Sequence, residues 1–371
     1  MGNDRIEPGY TALPLPLRVT EQVWPDGVAP LVSVLCITYN QRHFVQECLH
    51  RLLTQETTFP IEIIVHDDAS TDGTQEIIRA YGARYPTLLK TILRSVNQYS
   101  LGKKPALLAS EHASGEYIAL CDGDDYWLDK RKLELQVAQL AKHSTCDICF
   151  HAAFAESCAT DICAGEEVIC SYGSAVKIFD VGSIIAGGGG FCPTASLLIR
   201  RRVYGDLPAW YLSAPVGDYY IQIIAAARGG AVYIPRPMSV YRIRTSGSWS
   251  EQINVQPRRI PFLLSTMRSL HEVNMWLDGK YSDECILQIL NHLELLRSEL
   301  IRSGAHSGSG VVNLKFGRKL TVREKLARFR NHVSAMGFVG AMEFAIGHRL
   351  VLLGSALKRS SRGKDGLRLS L

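Results

Sequence analysis

The chain has 371 residues, of which 46% are hydrophobic and 21% are charged, and its formal net charge is +5. This length and composition fit a globular protein of one large domain or two ordinary ones, and they exclude a disordered chain. The opening residues MGNDRIEPGY lack an apolar core, and no charge-free apolar run reaches about 18 residues, so we predict neither a signal peptide nor a membrane-spanning helix.

The charge is divided unevenly along the chain. Residues 305–371 carry 13 Lys and Arg against three acidic residues, so the body before them is acidic. A basic tail on an acidic body predicts contact with something anionic, whereas a nucleic-acid partner is not predicted because such binders are basic throughout.

Apolar runs of strand length alternate with segments of helical spacing after a proline-punctuated lead, residues 1–29. The predicted strands cover 31–37, 61–66, 88–94 and 116–121. The predicted helices cover 43–53, 104–113 and 130–143. A further helix between the second and third strands is predicted to be capped at Ser70, Thr71 or Asp72. Strands that are apolar throughout occur in sheets covered on both faces, so we predict an α/β fold with a mostly parallel, Rossmann-like sheet.

The second half of the chain changes character. It holds short strand candidates at 147–154, 194–201 and within 231–244, a glycine run at 187–190, and a helix over 214–229 with Asp218 in its first turn. Helices follow at 260–277 and 283–301. We predict a catalytic domain over 30–255, a helical extension over 256–304 and a basic amphipathic tail over 305–371.

Polar clusters follow three of the predicted strands: TYN at 38–40, DDAS at 67–70 and DGDD at 122–125. Ligands of open parallel sheets bind at the carboxyl ends of the strands, so we expect the site there. No glycine-rich dinucleotide or P-loop motif is present. The DGDD acids could form a solvated turn or an incidental Ca²⁺ site, but two acids after a buried strand can also hold a divalent cation that bridges a diphosphate.

Five motifs, in this order and spacing, resemble the inverting family-2 glycosyltransferases of the GT-A fold: VSVLCITYN, IEIIVHDDASTDGT, NQYSLGK, GEYIALCDGDDYW and YRIRTSGSWS. The resemblance covers roughly residues 30–250. It implies inverting transfer of a sugar from a nucleoside-diphosphate donor, usually uridine-linked, with Mn²⁺ or Mg²⁺ as cofactor.

The resemblance also implies roles for single residues around the donor. Thr38, Tyr39 and Asn40 are expected to contact the nucleoside. Asp124 is the expected metal ligand, and Asp122 is expected to help on the metal or ribose side.

Further residues follow from the same family pattern. Asp68 is expected to contact the uracil, although it could be only a helix cap. Asp125 is expected to fix its loop or to meet the donor sugar. Asp218 is the expected catalytic base, and its plainer interpretation is an acid favoured by the helix dipole.

Three cations are candidates for stabilising the leaving diphosphate: Lys103, Arg242 and Arg244. Lysines such as Lys103 are more often surface residues than phosphate contacts. Many family members carry histidine where this chain has Arg244, which leaves a third protein ligand of the metal open.

The ten cysteines lie largely in apolar runs, so we predict reduced, buried thiols in a cytoplasmic protein. Cys146 and Cys149 form a C-x-x-C pair, which suggests zinc. In a strand, however, this spacing points the two side chains to opposite faces, and we expect no zinc site.

Together these patterns predict an inverting glycosyltransferase that moves a sugar from a nucleotide-sugar to a saccharide or lipid-linked acceptor in surface polysaccharide assembly. The expected location is cytoplasmic, including the inner face of the cytoplasmic membrane, where residues 320–371 would meet an anionic surface. The alternatives are a sugar-phosphate nucleotidyltransferase, whose glycine-rich loop is missing after the first strand, and a non-catalytic saccharide-binding protein of the same fold.

Overall fold

The computed structural model describes residues 10–160, 162–245, 253 and 258–302. The chain divides into two compact units, Met1–Arg258 and Arg259–Leu371. The predicted basic tail, with its membrane contact through residues 320–371, lies outside the described residues.

Fourteen strands are described. In chain order they are β1 (Leu17–Arg18), β2 (Val32–Thr38), β3 (Glu56–Thr57), β4 (Ile61–Asp67), β5 (Leu89–Leu93), β6 (Tyr117–Asp122), β7 (Tyr126–Trp127), β8 (Ile148–His151), β9 (Ala153–Thr160), β10 (Ile162–Ile169), β11 (Lys177–Phe179), β12 (Leu198–Arg200), β13 (Ala231–Ile234) and β14 (Ser239–Thr245). Eight of them form the main sheet, in the order β11-β13-β8-β12-β6-β2-β4-β5. Among these described strands β11 and β12 are antiparallel to their neighbours and the other pairs are parallel, which confirms the predicted mostly parallel sheet.

The described helices are, in chain order, α1 (Val45–Leu53), α2 (Thr74–Arg84), α3 (Pro105–Ser110), α4 (Lys132–Lys142), α5 (Val181–Gly187), α6 (Arg202–Gly205), α7 (Asp218–Ala226), α8 (Arg259–Trp276) and α9 (Ser282–Arg302). Helix α1 buries the apolar stripe that predicted it, including Val45, Leu49 and Leu52. The predicted cap of α2 is wrong by at least one residue, because Gly73, with a φ of 101°, is the N-cap and no side chain caps the helix there. Asp72 lies one residue earlier, and its carboxylate accepts the backbone N–H of Thr74 at 3.0 Å.

The register of the main sheet assembles the predicted site. β4 is buried along its whole length and β2 along nearly all of it, as expected for strands covered on both faces. Thr38 pairs with Asp67 across β2 and β4, and Ile37 pairs with Asp122 across β2 and β6. The polar clusters that follow these strands therefore lie side by side at one edge of the sheet.

A second sheet of four strands, in the order β10-β9-β14-β7, stands next to the acidic turn. Val240 of β14 pairs with Tyr126 of β7, which follows the turn directly. β14 also contains an irregularity between Ile243 and Thr245, where Arg244 has a φ of 64°. This bulge decides which β14 side chains point toward the acids.

The prediction of reduced thiols is wrong for one pair. Cys158 and Cys163 form a disulfide across the β9–β10 hairpin, where they lie opposite each other in the strand register. The spacing alone did not reveal the tight turn that brings them together. The other eight cysteines are free, and seven of them are buried.

The described part of the second unit is a pair of helices. α8 buries Leu263, Met267 and Leu270, and α9 buries Cys285 and Ile289. No helix in the described ranges is both long enough and apolar enough to cross a membrane.

Candidate active site

The acidic turn begins where β6 ends. The backbone N–H of Gly123 donates to the Ile37 carbonyl at 2.8 Å, and that of Asp125 donates to the Asp122 carbonyl at 2.9 Å. A Cβ atom at Gly123 would lie 2.5 Å from both Thr38 Cγ2 and Gln41 Oε1, so only glycine fits. The turn is therefore packed directly against the end of β2.

Two of the acids are held by β14. Asp124 accepts the Thr245 hydroxyl at 2.9 Å, and Asp125 accepts the backbone N–H of Arg242 at 2.9 Å. Asp125 is buried, and its second carboxylate oxygen has no hydrogen-bond partner within the described residues. Burial and the neighbouring acids raise the pKa of Asp125, and its predicted role in fixing the loop or meeting the donor sugar stays a prediction.

Asp122 differs from the other two acids of the turn in its hydrogen bonding. Its carboxylate accepts no hydrogen bond from the part of the chain that the structure describes. Burial raises its pKa to about 8, with smaller contributions from the charges of Asp124 and Asp218. Such a carboxylate is poised to accept a cation or a hydrogen-bond donor.

Asp218 joins the acidic turn although it lies far along the sequence. It is the first residue of α7, where one oxygen accepts the N–H of Tyr219 at 2.8 Å and the other accepts the Thr194 hydroxyl at 3.2 Å. Burial raises its pKa, while these hydrogen bonds and the charge of Lys104 lower it. A partly buried carboxylate with a raised pKa is a general-base candidate.

Asp67 organises the cluster after β2 and β4. It accepts the Thr38 hydroxyl at 2.8 Å and also binds Ser70 and Gln75. The side chain of Asn40, whose φ is 52°, accepts the N–H of Thr71 at 2.8 Å. These contacts form the surface on which the nucleoside is expected.

The nucleoside contacts themselves remain predictions. Tyr39 is exposed, as a stacking side chain needs to be, whereas Thr38 is buried. Asp68 is also buried, and its two oxygens accept the backbone N–H groups of Gln98 at 2.7 Å and Tyr99 at 3.0 Å. Asp68 thus holds the NQYSLGK loop, and a uracil contact would use its remaining lone pairs.

The two predicted arginines differ in their surroundings. Arg242 is buried, lies over the Tyr126 ring at 4.4 Å, and donates to Glu47 at 2.5 Å and to the Asp124 carbonyl at 2.9 Å. Arg244 is exposed. Arg242 therefore stabilises the acidic turn through its bond to the Asp124 carbonyl. A contact with the diphosphate remains a prediction for both arginines.

Lys103 is exposed, whereas its neighbour Lys104 turns toward the acids. The sequence does not distinguish two adjacent lysines, so Lys104 was missed. Thr245 was missed for another reason: strand alternation places Arg242 and Arg244 on one face, but the bulge at Arg244 turns Thr245 inward instead. Thr194 lies in a 3-10 turn and carried no sequence motif.

Asp122 and Asp124 fit a divalent cation that is shared with a substrate. The Asp122 carboxylate lacks a hydrogen-bond partner among the described residues and feels the charge of Asp124, so a cation would relieve the repulsion. No group of three or more His, Cys, Asp or Glu side chains in the described ranges is placed to hold a metal by itself. Two carboxylates suffice for Mg²⁺ where phosphate oxygens and waters complete the coordination.

Residues 33–206 match the family model for glycosyl transferase family 2. This segment belongs to glycosyl transferase family 2. It contains the ends of β2, β4 and β6 with the whole acidic turn, whereas Asp218 and Arg242 lie beyond it. The predicted family is confirmed.

Proteins similar to this chain include an uncharacterised protein of Mycobacterium tuberculosis, Rv1520, which is 38% identical over 228 residues, or 59% of this chain and 60% of that protein. The putative glycosyltransferase EpsE of Bacillus subtilis is 40% identical over 114 residues, or 31% of this chain and 40% of EpsE. The chain thus matches less than two thirds of the length of either relative.

Among solved structures, residues 1–349 of TarS from Staphylococcus aureus align with a TM-score of 0.54 and 16% identity, over 90% of this chain and 92% of that chain. A complex of the same TarS segment with UDP-GlcNAc aligns with a TM-score of 0.52. At this identity the likeness shows the fold alone. The predicted GT-A fold is confirmed.

Proposed function

We propose that residues 30–255 transfer a sugar, with inversion, from a UDP-linked donor to a saccharide or lipid-linked acceptor. One observation carries this proposal: the segment that holds Asp218 also packs against the acidic turn, because Thr194 donates its hydroxyl to Asp218 at 3.2 Å and the adjacent Ala195 carbonyl accepts the indole N–H of Trp127, two residues after the turn, at 2.9 Å. A pair of acids suited to a donor diphosphate and a separate acid suited to an acceptor hydroxyl thus share one edge of the sheet.

The reaction is a single displacement. A hydroxyl oxygen of the acceptor bonds to the anomeric carbon of the donor sugar, on the side opposite the diphosphate. The bond from that carbon to the diphosphate oxygen breaks, and its electron pair leaves with UDP. The hydroxyl proton passes to the Asp218 carboxylate, so the protein needs a base but no nucleophile.

Asp218 suits the role of base because both its oxygens are oriented before the reaction. The N–H of Tyr219 and the hydroxyl of Thr194 hold the carboxylate in place. Burial raises its pKa and makes it a stronger proton acceptor than a solvated aspartate.

Asp124 and Asp122 are proposed to hold Mn²⁺ or Mg²⁺, which when bound supplies Lewis-acid neutralisation of the charge on the departing diphosphate. Thr245 orients the Asp124 carboxylate, and the backbone of Arg242 orients Asp125. For donor binding we propose Thr38, Tyr39, Asn40, Asp68, Lys103 and Arg244, with Arg242 behind the turn.

The relatives support the proposed donor and setting. TarS is named a poly(ribitol-phosphate) β-N-acetylglucosaminyltransferase and has been solved with UDP-GlcNAc. TuaG of Bacillus subtilis, which is 35% identical over 115 residues, is named a putative teichuronic acid biosynthesis glycosyltransferase. We therefore propose surface polysaccharide assembly in the cytoplasm or on the inner face of the cytoplasmic membrane.

A panel of UDP-sugars with and without Mn²⁺ tests the proposal through UDP release and thermal shift. We expect metal-dependent UDP release from one donor, and a rate at least about 100-fold lower for Asp124→Asn. Asp218→Asn should lose transfer by a similar factor while the donor still raises the melting temperature. Asp206→Asn, an exposed acid after α6, is the control and should behave as wild type.

Two results would contradict the proposal. Release of pyrophosphate from a nucleoside triphosphate and a sugar phosphate would establish a nucleotidyltransferase. Saccharide binding without turnover of any nucleotide-sugar would establish a non-catalytic protein of the same fold.

A further inference from the structure

Lys104 links the start of α3 to the segment that precedes Asp218. It immediately precedes α3, and its ammonium group donates to the Ala214 carbonyl at 2.5 Å and to the Val216 carbonyl at 3.4 Å. It also lies 5.3 Å from the centroid of the buried Tyr211 ring. The segment that receives these contacts, residues 214–217, leads directly into Asp218.

Lys104 has an uncommon environment for a lysine. Within the described residues its hydrogen bonds go to backbone carbonyls, and Asp218 is the acid whose charge acts on it. Burial lowers the pKa of Lys104 to about 8, against the opposing effect of Asp218. Burying the lysine charge has a desolvation cost. A neutral donor could bond the same two carbonyls without this cost, so the charge itself needs an explanation.

The charged and titratable groups around Asp218 come from three elements. Asp122 at the end of β6 is an acid, Tyr211 in the preceding 3-10 turn is a neutral phenol, and Lys104 is a cation. Burial favours the protonated form of Asp218, which cannot accept a proton. Lys104 favours the ionised form.

We propose that Lys104 is a positioning residue for the catalytic base: it fixes residues 214–217 through the Ala214 and Val216 carbonyls and places its positive charge near Asp218. This inference rests on the proposed function, because it assigns Asp218 the proton of the acceptor hydroxyl. Lys104 itself touches neither substrate nor the reacting atoms in this role.

The pH dependence of kcat tests the electrostatic part. Activity falls on the acid side as Asp218 becomes protonated, and Lys104→Met removes the charge that opposes this protonation. We expect the acid limb of Lys104→Met to move up by about one pH unit, the size of a single neighbouring charge at an effective dielectric of about 20 to 80. We also expect kcat to fall at least about tenfold, with the donor KM changing less than about threefold.

Lys104→Arg and Lys103→Met are the matched variants. Lys104→Arg keeps the charge and N–H donors, so it should keep the acid limb at its wild-type position and restore most of the kcat. Lys103→Met removes a neighbouring exposed lysine, and whatever it does to donor binding, the acid limb should stay in place. An unmoved acid limb in Lys104→Met, or an equal shift in Lys103→Met, would overturn the inference.

Hydrogen exchange of the amides at residues 214–221 tests the positioning part without any turnover. We expect faster exchange in Lys104→Met than in wild type and in Lys104→Arg, and equal exchange in all three would overturn it. If wild type turned over no nucleotide-sugar, the proposed function would fail, and the exchange measurement would still decide whether Lys104 fixes this segment. Thermal melting of each variant identifies any loss of the fold.

Discussion

At the scale of single residues, a charge that is buried on folding makes stability depend on pH. Lys132 on α4 is fully buried, donates to Gln136 at 2.7 Å, and lies 4.0 Å from the Trp127 ring centroid. Burial lowers its pKa to about 7. In the unfolded chain a lysine keeps its ordinary pKa of about 10.4, so folding releases a proton between these two values.

This difference predicts a pH-dependent stability. Because the unfolded state binds more protons between about pH 7 and 10, the free energy of unfolding should rise with pH in that window and lose this contribution below about pH 7. Lys132→Met removes the linkage. From pH 7.5 to 9, wild type should gain about 2 kcal/mol relative to Lys132→Met, measured by urea unfolding.

Lys142→Met provides the matched comparison, since Lys142 is exposed at the end of the same helix. Its stability should follow that of wild type across the whole pH range. A difference between wild type and Lys132→Met that did not change with pH would show that Lys132 is not titrating in this window.

At the scale of elements, the close approach of β6 to β2 places the acids. Gly123 lies where a methyl group would meet Thr38 and Gln41 at 2.5 Å. The contact has no room to relax on the Thr38 side, because the Thr38 hydroxyl is bonded to Asp67 in the neighbouring strand. Space at this one position therefore depends on the register of three parallel strands.

Gly123→Ala should accordingly destabilise the protein by about 1–3 kcal/mol, the usual cost of overpacking a filled site. It should also weaken stabilisation by the donor and metal, because the acids would shift with the turn. Both effects are measurable by chemical unfolding and by thermal shift with the ligand.

The control for this change is Gly205→Ala. A Cβ atom there meets nothing within 4 Å, and the glycine ends α6 away from the acids. We expect its stability to change by less than about 1 kcal/mol and its ligand response to stay the same. Equal destabilisation by both substitutions would contradict the packing explanation for Gly123.

At the scale of the whole molecule, the acidic body and the basic tail predict an interaction of the tail with an anionic surface. The tail lies outside the described residues. Residues 320–371 are proposed to meet an anionic membrane surface, because a basic segment that the sequence predicts to be helical, VREKLARFR, precedes an apolar one. Replacing Arg323, Lys325 and Arg328 with Glu in the full chain should abolish flotation with anionic vesicles. Neutral vesicles and high salt should abolish flotation of the wild type, since the attraction is electrostatic.

If the wild type does not float with anionic vesicles, the tail does not act as a membrane contact. Unchanged flotation of the triple variant would instead show that these charges are not its cause. Either result leaves the catalytic proposal intact, since the acids lie in the first unit.

Much of the fold and part of the site follow from the amino-acid sequence alone. Apolar runs of strand length, interrupted by helical periodicity, determine a parallel sheet because only a sheet covered on both faces can bury such strands. That in turn places the ends of β2, β4 and β6 together, so the acidic turn and its family could be recognised from the order and spacing of the residues. The disulfide between Cys158 and Cys163 was not foreseen, because it depends on a turn between them.

The remaining decisions belong to tertiary structure. Lys103 and Lys104 are equivalent in the sequence, and the path of the loop into α3 alone directs Lys104 to the segment before Asp218. A single bulge in β14 exposes Arg244 and brings Thr245 to Asp124, which no alternation pattern predicts. Local periodicity determines which elements form and which face they bury, whereas contacts between distant segments depend on loop paths and register, which only packing specifies.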